Sequence, residues 1–409
     1  MVNIAVLGYG TVGSGVVEVI EKNHSSINRK AGDEINIRYV LDLRDFPGNP
    51  VQEVLTHNFN DIVNDPEVNI VVETMGGLHP AYEFTKQSLE AGKSVCTSNK
   101  ELVAKFGTEL ISLAKEHNCN YMFEASCGGG IPIIRPLNSS LTADEIEEVT
   151  GILNGTTNYI LTQMAQQGSD FADALKEAQE NGYAERNPEA DIEGYDACRK
   201  IAILSSLAYG NLVDYEDIYT EGISKITAAD IKYAQAMGFS IKLLATSRRI
   251  GNGFAAMVSP VMIDSTSPLF SVNGVFNAIF VHGNVLGDAM FYGSGAGKLP
   301  TASAVVADVV DCAKHLESYV SQGWSSEKLE LMNIDDIYSR FFVRVSGSLA
   351  ADLPIVTEIF GDVEPVSIPS VGEEFGFLTG LMTEAAFKEK SKSLPGMISR
   401  IRVRTGKRA

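Results

Sequence analysis

The chain has 409 residues, of which 44% are hydrophobic and 21% charged, so it carries enough apolar material for two or three globular domains. Its 33 Lys and Arg residues against 52 Asp and Glu residues give a formal net charge of −19, and such a surface repels a polyphosphate backbone. We therefore expect no nucleic-acid partner, and no membrane partner either, because no apolar run approaches the roughly 20 residues of a membrane span.

The first third of the chain alternates predicted strands and helices. Residues 2–7 are almost wholly apolar, which is typical of a central strand buried on both faces. Further strands are predicted at 35–41, 70–72 and 94–96, and further helices at 80–91 and 101–117. Such alternation predicts an α/β fold with an open, mostly parallel sheet.

A glycine turn follows the first predicted strand at once, as Gly8-Tyr9-Gly10-Thr11-Val12-Gly13, and a helical pattern follows the turn. The first glycine permits a tight turn, the second lets the backbone approach a pyrophosphate, and the third allows the helix to pack closely on the strand. The N-terminus of that helix supplies free N–H groups and positive potential. In this context the motif predicts a Rossmann-type dinucleotide-binding domain more strongly than a structural turn.

The preference between the two nicotinamide cofactors rests on a short segment after the second predicted strand. Asp42 would accept hydrogen bonds from a ribose 2′-hydroxyl, which favours NAD, whereas Arg44 would pair with a 2′-phosphate, which favours NADP. Both side chains would serve equally well as solvated loop charges. The sequence predicts NADP or NAD and does not decide between them.

The pattern changes after residue 130. Strand-like and helical stretches are mixed up to residue 300, which predicts an α+β domain for substrate binding and dimerisation. A polar linker then leads to a segment in which the order β-α-β-β-α-β is that of a ferredoxin-like domain. We expect a dinucleotide-binding domain over 1–130, completed by a helix at 300–320, a second domain over 131–300, and a third over 335–409.

Cysteine and histidine usage bears on compartment and on metal binding. The five cysteines are scattered and odd in number, which fits a reducing compartment, and the apolar start of the chain lacks the basic region of a secretory signal. We therefore expect a cytoplasmic protein. CxxC and HExxH spacings do not occur and the six histidines do not cluster, so a zinc enzyme is not expected.

The segment 182–200, GYAERNPEADIEGYDACRK, concentrates charged residues before and within a predicted helix. Asp196 and Lys200 are four residues apart, so their side chains share one helix face. A capped helix with a surface ion pair would account for the pattern. Alternatively, an ammonium held beside carboxylates can bind the charged groups of an amino acid or donate a proton to a carbonyl.

This segment resembles the substrate-binding signature of homoserine dehydrogenases. Other matches follow in order along residues 1–320: the glycine turn, Val72–Gly77 with Pro80-Ala81, Thr97–Lys100, Glu124–Ser126, Gly128–Ile134, Gly151–Leu161 and Gly293–Gly297. The C-terminal segment is similar to an ACT domain, the regulatory module of many single-function members. The resemblance implies reversible, NAD(P)H-dependent reduction of L-aspartate 4-semialdehyde to L-homoserine, a step in the biosynthesis of threonine, methionine and isoleucine.

The resemblance also implies roles for individual side chains. Lys200 would donate the proton to the aldehyde oxygen, and Lys100 would lie beside the nicotinamide and the substrate. Glu185 would hold the substrate amino group, and Asp191 and Asp196 would be polar partners of the substrate and the lysine. The residues implied in cofactor binding are Gly8, Gly10, Thr11, Val12, Gly13, Arg44, Thr74, Lys100, Gly182 and Gly297.

The resemblance further implies a monovalent cation and an effector. A Na+ ion would be held by Glu124 and by the backbone oxygens of Cys127, Gly129 and Ile131. The C-terminal segment would bind threonine or another amino acid, with the loop 347–352 as the candidate site. A homodimer, or a homotetramer, would form through the sheet of the second domain.

Two other classes of protein use parts of the same sequence. An aspartate-semialdehyde dehydrogenase handles the same metabolite but needs a nucleophilic cysteine, and Cys127 and Cys198 lack a neighbouring histidine in the sequence. A nucleotide-sensing regulator would use the glycine turn and the C-terminal segment without chemistry, and would need neither lysine.

Overall fold

The structure is a computed structural model and describes residues 1–406. The N-terminal strands form one parallel sheet. The six strands are β1 (Val2–Leu7), β2 (Ile35–Leu41), β3 (Leu55–Thr56), β4 (Val68–Glu73), β5 (Ser94–Thr97) and β6 (Tyr121–Met122). Their order is β3-β2-β1-β4-β5-β6, and each pairing is parallel. This is the order of a doubly wound nucleotide-binding sheet, in which ligands bind beyond the carboxyl ends of the strands. The predicted α/β fold is confirmed.

Helices cover both faces of this sheet. They are α1 (Thr11–Lys22), α2 (His24–Ala31), α3 (Phe59–Val63), α4 (Ala81–Glu90) and α5 (Lys100–Glu116). Helix α1 begins directly after the glycine turn, and α5 begins after Asn99, whose side chain accepts a hydrogen bond from the Leu102 N–H and so caps the helix.

The other strands form one eleven-stranded mixed sheet. Its first part contains β7 (Ile146–Ile152), β8 (Tyr219–Thr220), β9 (Phe239–Ile250), β10 (Gly253–Asp264), β11 (Phe276–Gly283) and β12 (Gly287–Ser294). The helices of this part are α6 (Gly155–Gln167), α7 (Phe171–Glu180), α8 (Glu189–Ile192), α9 (Tyr195–Tyr209), α10 (Ala228–Ala236) and α11 (Lys298–Lys314). Strand β12 lies at one edge of the sheet, and β9 lies near its middle.

Helix α11 returns the chain to the first sheet. Its buried face, with Ala302, Val305 and Val309, shares a hydrophobic core with strand β1. The approach to α1 is close, because a Cβ atom at Gly15 would lie 2.8 Å from the carbonyl oxygen of Lys298. The helix expected at 300–320 therefore packs against the N-terminal region of the chain.

The C-terminal segment continues the second sheet. It contains β13 (Tyr338–Ser346), α12 (Leu349–Phe360), β14 (Glu364–Val366), β15 (Glu374–Leu378), β16 (Met382–Thr383), α13 (Glu384–Ser391) and β17 (Met397–Arg404). The neighbour order β17-β13-β15-β14 is that of a ferredoxin-like motif, but β17 also pairs in parallel with β10. The segment is thus joined to the preceding region by backbone hydrogen bonds.

Short helical turns complete the chain. Turns of 3₁₀ type lie at Pro50–Val54, Glu124–Ser126, Tyr215–Asp217 and Ile334–Asp336, and a π turn lies at Pro136–Ser140. Within residues 1–406, no helix has the length and apolar character needed to cross a membrane.

Candidate active site

The glycine turn between β1 and α1 has the geometry of a phosphate-binding loop. Gly8 has a positive φ of 90°, and a Cβ atom at Gly13 would lie 1.9 Å from the carbonyl oxygen of Gly8, so both positions require glycine. Thr74 directly follows β4, the strand that pairs with β1. Its hydroxyl donates to the carbonyl oxygens of Leu7 (2.9 Å) and Gly8 (3.0 Å) and so holds the turn in place. At Gly10 a Cβ atom would meet no atom within 4 Å, and this open space before helix α1 fits a pyrophosphate.

Asp42 and Arg44 form an ion pair with each other. From the sequence, Asp42 would favour NAD and Arg44 would favour NADP. Arg44 donates through Nε to Asp42 Oδ1 and through Nη2 to Asp42 Oδ2, each at 2.9 Å. The Asp42 carboxylate also accepts the Tyr9 N–H at 2.8 Å, so the pair is tied to the glycine turn. These hydrogen bonds hold the pKa of Asp42 well below its usual range, and the one from the Arg44 side chain has the largest effect. The Arg44 side chain is 61% exposed and can reach a solvent-facing ligand.

A buried carboxylate, Glu73, organises the loop after β4. It accepts the N–H of Met75 at 2.8 Å and the hydroxyl of Thr97 at 2.6 Å. Burial raises the pKa of Glu73, while these hydrogen bonds oppose the rise. Glu73 thus joins the ends of β4 and β5 on the cofactor side of the sheet. No sequence pattern pointed to this role of Glu73.

The two lysines singled out from the sequence meet at one carboxylate. Lys100 Nζ, from the first turn of α5, lies 2.8 Å from Asp196 Oδ1, and Lys200 Nζ lies 2.6 Å from Asp196 Oδ2. Burial opposes ionisation of Asp196, but the two ammonium groups outweigh it and hold the pKa of Asp196 well below its usual range. Asp196 has the largest effect on Lys100 and raises its pKa. The cluster thus links helix α5 to helix α9.

Backbone and amide groups complete the surroundings of Lys200. Its Nζ donates to the carbonyl oxygen of Leu153 at 2.7 Å, where the chain leaves β7. The amide of Asn154 donates to both Asp191 Oδ1 (2.7 Å) and Asp196 Oδ2 (2.9 Å), and its oxygen caps helix α6. Burial, and then the charge of Asp196, raise the pKa of Asp191. Asn154 is a site residue to which the sequence analysis gave no role.

The loop between α7 and α8 carries the remaining predicted residues of this site. Glu185 is exposed on it, and Gly182 has a positive φ of 75°. The Thr156 hydroxyl donates to the carbonyl oxygen of Tyr183 at 2.6 Å, which brings this loop to the start of α6 beside Asn154. Gly297, with a φ of 121°, precedes α11.

At the predicted cation site, the side chains of Glu124 and Cys127 are poorly placed to act as ligands. The Glu124 carboxylate accepts the N–H groups of Ile133, Ile134 and Arg135 at 2.6–2.9 Å, so its side chain already holds the backbone. Burial raises the pKa of Cys127 to about 12, and a neutral thiol is a poor ligand for a hard cation. A monovalent cation here would therefore depend on backbone carbonyl oxygens. Within residues 1–406, no group of three or more His, Cys, Asp or Glu side chains could hold a metal.

The cysteines do not fit thioester chemistry. Cys127 and Cys198 are buried, and burial raises the pKa of each thiol. The Cys127 thiol donates to the carbonyl oxygen of Lys200 at 3.7 Å. A nucleophilic cysteine needs the opposite environment, one that lowers its pKa.

A phosphate-binding turn on a parallel sheet, together with a lysine–aspartate–lysine cluster built by helices α5 and α9, is typical of an NAD-binding oxidoreductase. Models of two protein families match the chain: homoserine dehydrogenase over residues 132–310 and the homoserine dehydrogenase NAD-binding domain over residues 8–124. The chain belongs to the homoserine dehydrogenase family.

Curated relatives agree with this placement over most of their length. The chain is 40% identical to a homoserine dehydrogenase of Bacillus subtilis over 84% of this chain and 81% of the relative. It is 38% identical to that of Lactococcus lactis over 92% of this chain and 90% of the relative.

Solved structures give the same result. A homoserine dehydrogenase from Thiobacillus denitrificans superposes with a TM-score of 0.90 at 36% identity and covers 99% of this chain and 98% of that one. A hyperthermophilic archaeal homoserine dehydrogenase in complex with NADPH superposes with a TM-score of 0.66 at 31% identity and covers 76% of this chain and 97% of that one.

Proposed function

We propose that this chain interconverts L-aspartate 4-semialdehyde and L-homoserine, with Lys200 as the proton-transfer residue. The observation that carries the assignment is the placement of the Lys200 ammonium, 2.6 Å from Asp196 and 2.7 Å from the Leu153 carbonyl oxygen. These two acceptors leave the third N–H of the ammonium for the substrate oxygen. In reduction this group gives a proton to the aldehyde oxygen, and in the reverse direction it takes the proton of the hydroxyl.

The cofactor assignment rests on the chain's own residues. The open space at Gly10 and the N-terminus of α1 would hold the pyrophosphate, with Thr11, Val12 and Gly13 in the first turn. Thr74 supports the turn, Arg44 or Asp42 faces the 2′ position, and Gly182 and Gly297 line the pocket. When bound, NADP or NAD exchanges the hydride with the substrate carbon.

The second lysine and the carboxylates have supporting roles. Lys100 orients the substrate and the nicotinamide from the start of helix α5, with Asp196 between the two lysines. Asp191, whose pKa burial raises, and exposed Glu185 bind the polar groups of the substrate, Glu185 taking the amino group. Charge that develops on the substrate oxygen is then met by a fixed cation that is largely shielded from water.

Steady-state reduction of NAD and NADP with L-homoserine tests this function. We expect homoserine-dependent reduction of at least one cofactor and none when L-serine replaces homoserine. Reduction of NAD or NADP by the semialdehyde itself, and not by homoserine, would instead support the thioester enzyme, and absence of turnover with both cofactors would support a sensor.

For the rest of the chain we propose the division 1–130 with 300–320, 131–300 and 335–409, the last being ACT-like. What supports an amino-acid effector such as threonine is a cavity of about 240 Å³ in this last region, lined by Ser346, Asp352, Ile355 and Leu394 among others. Calorimetry of threonine with the wild type and Asp352→Asn tests this site. Heat of binding that is equal in both proteins, or absent from both, would contradict it.

We also propose a homodimer, a Na+ ion and a cytoplasmic location. Strand β12 exposes Met290 (45%) and Tyr292 (54%) on one face of the second sheet, and this apolar face favours packing against a second copy. The Na+ ion would use the carbonyl oxygens of Cys127, Gly129 and Ile131. All five cysteines are free and buried, which fits a reducing compartment.

A further inference from the structure

Ion pairs connect strand β17 to Glu221, the first residue of a segment that contacts the turn before helix α9. Glu221 follows β8, and its carboxylate oxygen Oε2 lies 2.8 Å from Arg402 Nη1 and 3.1 Å from Arg400 Nη1. Both arginines belong to β17. Burial opposes ionisation of Glu221, but the two arginines lower its pKa, so the ion pairs persist at neutral pH.

Other residues of the C-terminal region also hold the Arg402 side chain in place. It is 3% exposed and donates through Nε and Nη2 to the two oxygens of buried Glu384, at 2.6 and 3.1 Å. The guanidinium also lies over the Tyr219 ring, 5.0 Å from its centroid. A bidentate pair of this kind sets the direction of the remaining N–H group, which Glu221 accepts.

On its other side, Glu221 begins a segment that packs directly on the turn before α9. The Ile223 N–H donates to the carbonyl oxygen of Ile192 at 2.8 Å. A Cβ atom at Gly222 would lie 2.2 Å from that same oxygen, so the two backbones are in contact with no side chain between them. Movement of residues 221–223 would therefore move the turn 191–194.

That turn carries one proposed substrate ligand and introduces the helix with the lysine. Asp191 lies in α8, and α9 begins at Tyr195 with Asp196 and Lys200 in its first turns. The turn also lies close to β10 and β8, because a Cβ atom at Gly194 would lie 3.1 Å from Val258 Cγ1 and 3.2 Å from Thr220 Cγ2. Strand β10 itself pairs with β17.

We propose that Glu221 is a positioning residue, through which strand β17 of the C-terminal region holds the Asp191–Gly194 turn in place for proton transfer by Lys200. Glu221 touches neither substrate nor cofactor in this account. The expected effect on turnover rests on the proposed function. The contacts that connect β17, Glu221 and the turn 191–194 do not depend on that function.

The variant Glu221→Gln tests the link, because it removes the charge and keeps the size. Glu148→Gln is the matched control: Glu148 is another largely buried carboxylate paired with an arginine of β17, Arg404, but it lies in β7 and not against the turn. We expect hydrogen exchange over residues 189–199 to speed up about tenfold in E221Q and to stay unchanged in E148Q. We expect kcat with homoserine to fall about tenfold in E221Q alone, with the cofactor dissociation constant unaltered.

Glu221→Asp, which keeps the charge, is expected to recover most of the exchange protection and of kcat. Arg400→Gln, which removes one of the two ion pairs of Glu221, replaces E221Q if that variant does not fold, and is then expected to speed up exchange over residues 189–199. Unchanged exchange in E221Q, or equal effects in E221Q and E148Q, would overturn the inference. Failure of the proposed function has a different signature, namely wild-type turnover in a Lys200 variant, and the exchange comparison remains decisive in that case.

Discussion

Asp196 and Lys200 stand one helical turn apart in α9, with Lys200 Nζ 2.6 Å from Asp196 Oδ2, and the other carboxylate oxygen binds Lys100 of helix α5. One carboxylate therefore orients two ammonium groups that come from different helices. Asp196 is 4% exposed, so this arrangement is largely shielded from solvent.

Asp196→Asn should weaken both stability and turnover. The amide cannot neutralise two ammonium groups, and leaving buried charge without its partner costs roughly 3–5 kcal/mol. We expect unfolding free energy in urea at pH 7 to fall by about that amount and kcat to fall roughly 10²-fold, because the lysines lose their fixed positions. Wild-type stability in this variant would show that the cluster is hydrated rather than tightly paired.

Asn154 has two tasks that substitution can separate. Asn154→Ala removes both the cap of α6, worth about 1 kcal/mol, and the hydrogen bonds to Asp191 and Asp196. Asn154→Ser keeps a capping oxygen but is too short to bridge the carboxylates. We expect N154S to regain most of the melting temperature lost in N154A but little of the lost kcat; recovery of both together would contradict a bridging role.

Arg44→Ala should change the ratio of the two cofactors. The guanidinium is available for a 2′-phosphate, and its removal frees Asp42 to accept a ribose 2′-hydroxyl. We expect kcat/KM with NADP to fall about tenfold or more, whereas kcat/KM with NAD holds or rises. Asp42→Ala is the complementary control, and a parallel change with both cofactors in R44A would refute the assignment.

Lys242 predicts a pH dependence of stability. This side chain in β9 is 1% exposed and donates to the carbonyl oxygen of Val272 at 2.5 Å and to Asn273 Oδ1 at 2.9 Å. Burial lowers the pKa of Lys242 to about 8. The unfolded chain, with a lysine pKa of about 10.4, binds more protons between these values, so unfolding free energy should rise as pH increases from 8 to 10.4.

The rise attributable to Lys242 is at most about 3 kcal/mol. Urea unfolding of the wild type and Lys242→Met across this pH range isolates it, because other titrating groups contribute equally to both proteins. The difference in slope is the decisive quantity. Parallel curves would show that Lys242 keeps its proton in the folded state.

Local chemistry explains which parts of the fold could be predicted from the sequence. The glycine turn and strand β1 were predicted correctly, since both depend on adjacent residues: an apolar run and a turn that excludes side chains at Gly13. The spacing of Asp196 and Lys200 likewise predicted a shared helix face, and the structure confirms their contact.

Long-range features could not be predicted in the same way. Strand β9 was missed because Lys242 and the pair Arg248-Arg249 interrupt its apolar pattern, although it lies near the middle of the second sheet. Pairing of β10 with β17 joins residues about 140 positions apart, which no local pattern encodes. The role of Asn154 likewise depends on carboxylates that only the tertiary fold brings to it.

The most direct test of the account is the turnover of Lys200→Ala with L-homoserine, measured beside cofactor binding to the same protein. Loss of one general acid should lower kcat by roughly 10²–10⁴-fold. Cofactor affinity, followed by fluorescence titration of NADPH or NADH, should stay within about twofold of the wild type, since the glycine turn is untouched. A Lys200→Ala protein with wild-type kcat would contradict the assignment of proton transfer to this residue.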